Sequence, residues 1–407
     1  MHIIPIISTL RRHRTAAVLI VLEIAFTCAI VCNAIFLITD RLDRMDRPSG
    51  LVEDEIVRVR VSGISQNKDG MAITEQDLAA LHAISGVKYV AATNEVPFGQ
   101  SSWNNGVSTK PDDPLGSVNA TMYMGGPDLL ETFGTTLIAG RDFTPDEFVD
   151  FDKVAEQNGT FGSVIITKAL ADKLWPSGNA IGEKLYMWGK EPQRVVGILD
   201  RLARPNEITG PIEREYSTVV PLRVAFNKGG SNYMMRVDPA RKSEVLGAVD
   251  AALTKIDPNR IIRDHQTFAE VRANYFKTDR AMAWLLAGVS IALLIITALG
   301  VVGLASFWVQ QRTRQIGIRR ALGATKMDIL RYFQMENFIL ATLGIIVGMG
   351  MAYGINLVLM DKYHVARLPA SFLPIGAFLL WVLGQIAVFG PALRASMIPP
   401  AIATRTV

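Results

Sequence analysis

Four long apolar segments constrain the fold of this 407-residue chain more than any other feature of its sequence. They lie at 15–38, 283–309, 338–360 and 369–393, and the last three contain no Asp, Glu, Lys or Arg. About 20 apolar residues in a helix span a hydrocarbon core of about 30 Å, so each segment is long enough to cross a bilayer. A signal peptide is the alternative for the first segment. That segment is too long, however, and no small-residue cleavage site follows it, so we interpret it as a retained membrane anchor.

The cations beside these segments predict how the chain crosses the membrane. Cytoplasmic loops carry an excess of Lys and Arg, and with four spans three groups of cations fall on one side. These cations are Arg11, Arg12, Arg14, Arg312, Arg314, Arg319, Arg320, Lys326, Arg331, Arg394 and Arg405. The predicted order is a cytoplasmic interfacial segment (1–14), a first span (15–38), an outer domain (40–282), a second span (283–309), a cytoplasmic segment (310–335), a third span (336–360), a short outer loop (361–368), a fourth span (369–393) and a cytoplasmic tail (394–407).

Composition and motifs argue against several classes of function. The net charge is +4, but the cations crowd beside the apolar segments and form no basic stripe, so we expect no nucleic-acid binding. The five histidines have no metal-ligand spacing, and the phosphate-binding pattern G-x-x-x-x-G-K-[ST] is absent; its nearest candidate, "GNAIGEK", is interpreted as a turn. His265 beside Asp264 is interpreted as a solvated turn and not as an acid/base pair. The sequence thus predicts no catalytic residue, no metal and no cofactor in this chain.

The sequence of the outer domain predicts two similar β-α-β units that lie far apart along the chain. The first has a strand at 55–62, a helix that begins at Thr74 and Asp77, and a strand at "VKYVAATNEVPF". The second has the strand "NYMMRVDP", a helix at 242–256 and the strand "RIIRD". We expect the two units to form one subdomain, interrupted by a mainly-β insertion at about 111–220. From Thr267 a helical pattern is expected to run unbroken into the second span.

Several polar and small residues lie inside the predicted spans. Glu23 lies in the first span, where an unpaired ionised carboxylate costs about 2.5 kcal/mol or more, so it is either a proton or substrate site or a structural hydrogen bond between helices. The glycines at 300, 303, 344, 348, 350 and 354 predict close helix packing, within one subunit or between subunits. The only two cysteines, Cys28 and Cys32, are interpreted as small packing residues.

The cytoplasmic segment contains a short helix between two spans. Residues 314–322 predict a helix with Ile318, Ala321 and Leu322 on one face; Gly323 would end it, and Thr325 with Asp328 would start the next helix. A short amphipathic helix held between two spans suits docking into a groove of a partner protein. The alternative is a basic loop that only sets the membrane topology.

The order of residues in this segment resembles a known family. "RQIGIRRALGAT" is similar to the cytoplasmic signature of FtsX-like/MacB-like ABC transporter permeases of the type VII ABC superfamily, with Gln315 where the family commonly has Glu. "GPDLLETFGTTLIAGRDFT", "ITKALADKLWP", "AIGEKL" and "RVVGIL" resemble segments of the MacB-type periplasmic core, in the same order. Gly140, Arg141 and Phe143 match a G-R-x-F segment that we interpret as structural.

The resemblance implies an α+β membrane protein with four transmembrane helices and a large two-subdomain periplasmic domain between helices 1 and 2: a split βαβ subdomain plus an inserted mainly-β subdomain. It implies a homodimer or heterodimer in the inner membrane of a Gram-negative cell, served by a separate ATPase subunit that binds ATP and Mg. ATP hydrolysis would move the periplasmic domain through the cytoplasmic helix, a mechanism called mechanotransmission. The implied ATPase-contacting residues are Ile316, Gly317, Ile318, Arg319, Arg320, Ala321, Leu322, Gly323 and Ala324.

The expected activity is export, with a periplasmic membrane-fusion adaptor, an outer-membrane channel and membrane lipid as further partners. Two alternatives share the topology. One is a permease that releases lipoproteins from the membrane, and the other is a regulator of a periplasmic hydrolase that transports nothing. The outer domain of about 240 residues favours the exporter, because the hydrolase-regulating FtsX proteins that the sequence resembles carry a smaller one.

Overall fold

The computed structural model describes residues 14–63, 69–111, 113, 118–156, 161–176, 178–188, 190–206, 213–227, 230–363 and 366–399. Arg11, Arg12 and Arg405 lie outside these residues, as do most of the predicted interfacial segment and the last eight residues of the tail. The chain divides into two compact units. One, the helical unit, is Met1–Asp46 with Thr278–Val407; the other, the strand unit, is Arg47–Lys277.

The first element is the helix α1 (Arg14–Asp46). The strand unit follows with these elements in chain order: β1 (Ile56–Gly63), α2 (Gly70–His82), β2 (Val87–Thr93), β3 (Asn104–Val107), β4 (Val118–Met124), α3 (Leu129–Phe133), β5 (Leu137–Gly140), β6 (Val149–Asp150), α4 (Phe151–Glu156), β7 (Ser163–Thr167), α5 (Lys168–Leu174), β8 (Lys184–Leu185), β9 (Gln193–Leu199), β10 (Ser217–Val220), β11 (Leu222–Arg223), β12 (Ser231–Val237), α6 (Lys242–Ile256), β13 (Arg260–Thr267) and α7 (Phe268–Tyr275).

The two β-α-β units pair in a single antiparallel sheet with the strand order β13-β1-β12-β2. The alternation of β1 sends Val57, Val59 and Val61 to one face, where they pack with Leu81 of α2 and with apolar residues of α6. The other face of β1 carries Arg58 and Arg60. This arrangement is the split βαβ pattern, in which strands from the two ends of a domain alternate in one sheet.

A second, mixed sheet has the order β3-β4-β10-β7-β9-β5, with β8 paired to β9. It begins at Asn104, before the expected insertion boundary at about 111, because β3 pairs antiparallel with β4. Its own apolar core includes Met122, Val164 and Ile166, which are fully buried. The inserted region therefore has a core separate from that of the first sheet.

The helix α2 begins earlier than its sequence pattern predicted. Asp69 is its N-cap, with its carboxylate accepting a hydrogen bond from the backbone N–H of Ala72 at 3.0 Å. The predicted start at Thr74 and Asp77 is wrong, since both residues lie inside the helix and are buried. Asp77 instead forms a buried ion pair with Arg260 of β13 and accepts a hydrogen bond from Tyr233 Oη at 2.6 Å. Burial raises the pKa of the Asp77 carboxyl, and these two partners oppose that rise.

The helical pattern after Thr267 is interrupted once. The helix α7 starts at a capping box between Thr267 and Glu270 and ends at Tyr275; the next residue, Phe276, has a ψ of 11°, which departs from helical geometry. The Phe276 ring is buried, with its centroid 5.3 Å from that of Phe98. The prediction of an unbroken helix is therefore wrong. A turn at Phe276, where the buried aromatic rings pack, separates α7 from the next helix, which begins at Lys277.

The remaining helices are α8 (Lys277–Gln311), α9 (Thr313–Ala321), α10 (Lys326–Tyr363) and α11 (Phe372–Ser396). In the helical unit, α1 packs against α10 and α11 through a cluster that includes Cys28 and Cys32. Both cysteines are buried and free, which confirms their interpretation as packing residues. The helix α11 begins at Phe372, after Ser371 as N-cap, three residues beyond the start of the predicted fourth span.

Two of the predicted small-residue positions bring α10 and α1 into close contact. A Cβ atom at Gly348 would lie 2.6 Å from Cys28 Cβ and 2.7 Å from the Ala25 carbonyl oxygen. One at Gly344 would lie 2.9 Å from Ile24 Cβ. At Gly350 and Gly354 a Cβ atom would meet nothing within 4 Å in the described residues. Gly344 and Gly348 therefore pack within this chain, as small residues between membrane helices commonly do.

We expect Gly348→Val to destabilise the helical unit by about 1–3 kcal/mol, because the added atoms overlap the backbone of α1 and force the helices apart. Gly354→Val is the matched control, since it makes the same change on the same helix in open space. The measurement is the melting temperature of the full chain in detergent. An equal change in both variants would contradict the inferred contact.

Candidate functional site

The helix α9 lies between α8 and α10 and starts and ends one residue before the predicted bounds, 314–322. Arg312 occupies its N-cap position. Gly323 follows it with a φ of +99°, in the left-handed region that glycine adopts without strain. A short helix and a sharp turn thus separate two long apolar helices.

The start of α10 confirms the predicted cap. The backbone N–H of Thr325 donates to Asp328 Oδ2 at 3.0 Å, and the backbone N–H of Asp328 donates to Thr325 Oγ1 at 3.2 Å. The two residues therefore satisfy each other's backbone donors, as in a capping box. The Thr325 hydroxyl also donates to Asp328 Oδ2, at 2.6 Å, and this bond, followed by the one from the Thr325 backbone N–H, lowers the pKa of the Asp328 carboxyl. The turn between α9 and α10 is consequently held by local hydrogen bonds on one side and by Gly323 on the other.

Burial divides the nine predicted contact residues into two groups. Ile316 is only 4% exposed and packs with Val309, Ile329 and Phe333, and Gly317 is also buried. Ile318 is 45% exposed and Leu322 is 83% exposed. The exposed apolar side chains of this segment are therefore Ile318 and Leu322, whereas Ile316 packs the helix against its own chain.

The two arginines among the predicted ATPase-contacting residues have contacts inside this chain. The Arg319 guanidinium lies 4.7 Å from the centroid of the Tyr332 ring, a cation–π distance. Arg320 Nη1 donates a hydrogen bond to the carbonyl oxygen of Ile398 at 2.8 Å. Both side chains therefore help to orient α9 against α10 and against the residues that follow α11.

A buried ion pair, which the sequence did not reveal, lies immediately before α9. Arg312 Nη1 donates to both carboxylate oxygens of Glu336, at 3.0 and 2.8 Å, with the two side chains 7% and 1% exposed. The Arg312 guanidinium also lies 5.5 Å from the centroid of the buried Trp308 ring. The signal available in the sequence was a cation and a carboxylate at facing ends of consecutive apolar segments. The pair connects the end of α8 to α10 and so helps to fix the position of α9.

Glu23 lies apart from α9. An interhelical hydrogen bond, one of the two interpretations of Glu23, is not formed with any described residue. Its carboxylate contacts the backbone of Gly300 in α8, where a Cβ atom would lie 2.5 and 2.6 Å from the two oxygens. One turn along, Thr27 Oγ1 and Thr297 Oγ1 form a hydrogen bond of 2.7 Å. The polar contact between α1 and α8 is thus made by the two threonines, and Glu23 is half-buried beside it.

These features define a class of protein. Within the described residues, four helices are long and apolar enough to cross a membrane, and a strand-rich unit lies between the first and second of them. The chain is therefore a multi-pass membrane protein with a large domain outside the membrane and a short exposed helix between its second and third spans.

Two family models identify which kind of membrane protein this chain is. Residues 18–256 match the MacB-like periplasmic core domain, and residues 287–400 match the FtsX-like permease C-terminal domain. The chain belongs to the FtsX-like/MacB-like ABC transporter permease family. Neither matched model describes an ATPase domain.

Relatives that are named as ABC transporter permeases or as export ATP-binding/permease proteins are similar to this chain. The ABC transporter permease YknZ of Bacillus subtilis is 26% identical over 289 residues, which are 69% of this chain and 66% of YknZ. The pyoverdine export ATP-binding/permease protein PvdT of Pseudomonas putida is 28% identical, over 70% of this chain and 43% of PvdT. The macrolide export ATP-binding/permease protein MacB of Bdellovibrio bacteriovorus is 25% identical, over 85% of this chain and 52% of MacB. The matched part therefore spans between about two fifths and two thirds of these relatives.

Two solved structures are similar to part of this chain. The extracellular domain of YknZ aligns with a TM-score of 0.33 and 15% identity, over 51% of this chain and 100% of that domain. The periplasmic region of MacB from Actinobacillus actinomycetemcomitans aligns with a TM-score of 0.33 and 11% identity, over 57% of this chain and 97% of that region.

Proposed function

We propose that this chain is the permease subunit of a MacB-like ABC exporter in an inner membrane, with its termini in the cytoplasm and its strand unit in the periplasm. A separate ATPase subunit, which binds ATP and Mg, would dock on α9. The observation that carries this proposal is the form of α9: a short helix with two exposed apolar side chains, Ile318 and Leu322, held against its own chain on the opposite side.

The structure of the segment suits transmission of force. A contact made by Leu322 reaches α10 through the Gly323 turn and the Thr325–Asp328 cap, and the Arg312–Glu336 pair connects α10 to the end of α8. These connections are hydrogen bonds and a buried ion pair, so a push on α9 would move both neighbouring helices instead of bending a loose loop. Movement of α8 would then act on the strand unit, which precedes it in the chain.

Export is proposed because two of the relatives, PvdT and MacB, are named as export proteins. In those names ATP binding and the permease belong to one protein, whereas the matched families in this chain are permease families. We therefore propose a partner ATPase and a second permease copy or paralogue. A membrane-fusion adaptor, an outer-membrane channel and membrane lipid would be further partners of the assembled exporter.

The experiment that tests this function is purification of the tagged full chain from native membranes, followed by mass spectrometry of its partners. We expect an ABC ATPase subunit in an amount comparable to the permease, together with a periplasmic adaptor. Absence of any ABC ATPase would overturn the proposal. An ATPase accompanied by a lipoprotein carrier, or by a peptidoglycan hydrolase, would replace export by lipoprotein release or by hydrolase regulation.

A further inference from the structure

A pocket of about 240 Å³ lies within the strand unit, beside the antiparallel sheet. Its lining is rich in polar and charged side chains, which include Arg58, Arg60, Arg263, Glu95, Asn94 and Asn232. A smaller pocket of about 100 Å³ shares Arg58 and Arg60 with it. Three guanidinium groups therefore line this one cavity.

The backbone of the sheet explains why three arginines meet there. Arg58 and Arg60 point away from the apolar face of β1 because side chains alternate along a strand. Arg263 is the extra residue of a β-bulge in β13, since Arg60 pairs with Asp264 and Val61 pairs with Ile262. A bulge re-aims a side chain, and the Arg263 Nε donates to Ser62 Oγ at 3.1 Å, on the same face as Arg58 and Arg60.

The positive charge of the pocket is only partly neutralised. Asp264 forms an ion pair with Arg60 and lies 3.6 Å from Arg58, while Arg58 also donates to Gln266 Oε1 at 2.7 Å. Arg263 has no carboxylate partner among the described residues. Burial raises the pKa of Glu95 to about 8, so this lining carboxyl is largely protonated at neutral pH. One carboxylate therefore faces three guanidinium groups.

The wall of the pocket is held open by a constrained loop. Phe98 and Gln100 have φ values of 60° and 74°, a left-handed conformation that non-glycine residues rarely adopt. The Phe98 side chain is buried, and its ring lies near those of Phe268, Tyr275 and Phe276 at centroid distances between 5.3 and 6.1 Å. The backbone N–H of Gln100 donates to the carbonyl oxygen of Pro205 at 3.2 Å. This packing keeps the loop, which also contributes Gly99 to the lining, in its strained conformation.

We propose that this pocket binds an oxyanion, namely a carboxylate or phosphate group, carried by a small ligand or by one end of a larger one. The planar guanidinium fork matches both groups and forms paired, charge-assisted hydrogen bonds with them. The volume is below the range of about 300–1,000 Å³ that is typical of sites for whole drug-sized ligands, so an anionic end group fits better. The site is independent of the ATPase contact on α9, and its test needs no ATPase.

The experiment is isothermal titration of the full chain, purified in detergent, with inorganic phosphate and separately with succinate, at constant ionic strength. We expect saturable binding of at least one anion with one site per chain, and the better ligand identifies the group. Arg263→Gln removes a guanidinium without breaking an ion pair, and it should weaken binding by about tenfold or more. Its melting temperature without ligand should match that of the wild type. Should it fail to fold, Arg60→Gln serves in its place.

Arg194→Gln is the matched control, because Arg194 is exposed on β9 of the other sheet and its loss removes the same charge. It should bind the anion as the wild type does. Saturable binding that Arg263→Gln weakens and Arg194→Gln does not would support the proposal. Absence of saturable binding by both anions, or equal weakening in the two variants, would overturn it in favour of general attraction to a cationic protein.

Discussion

Leu322→Glu is expected to lower ATPase binding by this permease tenfold or more, and with it the stimulation of ATP hydrolysis that depends on assembly. Leu322 is the most exposed large apolar side chain of the described residues, at 83%. Fully burying a leucine side chain contributes about 1.5–3 kcal/mol, and a carboxylate buried in an apolar contact adds an unpaired charge. An affinity loss of at least about tenfold follows.

The measurement is copurification of the ATPase subunit with the permease, followed by the rate of ATP hydrolysis in the assembled complex. Ile318→Glu should have the same direction of effect, since Ile318 lies on the exposed side of α9. Leu42→Glu is the matched control, because Leu42 is also an exposed leucine and lies near the C-terminal end of α1, in a different helix. Normal assembly in Leu322→Glu would show that the ATPase docks elsewhere.

This substitution is a sharper test than charge reversal at Arg319 and Arg320. Both arginines contact their own chain, through Tyr332 and the Ile398 carbonyl. Replacing them with glutamates would change the orientation of α9 as well as its surface, so a lost ATPase contact would have two explanations. Leu322 has little to disturb within the chain.

The second large effect is expected at the buried ion pair. Removing one partner, by Arg312→Gln or Glu336→Gln, leaves a charge without its counterion in an apolar environment, which destabilises proteins by about 3–5 kcal/mol. The double variant, Arg312→Gln with Glu336→Gln, should recover a large part of this loss, because neither charge remains. The measurement is the melting temperature of the full chain in detergent, compared as a double-mutant cycle.

Arg314→Gln serves as the control for general charge effects, since Arg314 is an exposed cation in the same segment. Exposed cations of this kind contribute about 0–1 kcal/mol, so its melting temperature should stay close to that of the wild type. Single variants as stable as Arg314→Gln would contradict the inferred burial. A double variant less stable than either single one would show that the two side chains stabilise the chain by packing and not as a pair.

The sequence predicted features that depend on neighbours along the chain. The cap between Thr325 and Asp328 joins residues three apart, and the helix at Lys242–Ile256 follows from local periodicity, so both were found at their observed positions. The exposed face of α9 was partly predicted, since Ile318 and Leu322 were named. The burial of Ile316 depends on Ile329 and Phe333 of another helix, which local spacing does not show.

The errors share one physical cause, which is competition from residues distant in the sequence. Asp77 looked like part of a helix start, but its carboxylate is paired with Arg260 on a strand far along the chain. The break at Phe276 coincides with packing against Phe98. Asp264 and His265 lie in a strand and not in a solvated turn, and Asp264 is paired with Arg60. The arginine pocket was missed because a bulge, invisible in the residue pattern, brings Arg263 to it.

The split sheet also affects how the nascent chain folds. The strand β1 has neither edge paired until β12 and β13 exist, because Ile56 pairs with Arg236 and Arg60 pairs with Asp264. Those partners emerge about 180 residues later, a delay of about 10–40 s at ordinary translation rates. Contacts of such long range also slow the final pairing. The inserted sheet, whose strands lie between Asn104 and Val220, is complete before that pairing and can fold first. The strands β12 and β13, which are synthesised last in this domain, therefore complete the sheet that begins with β1.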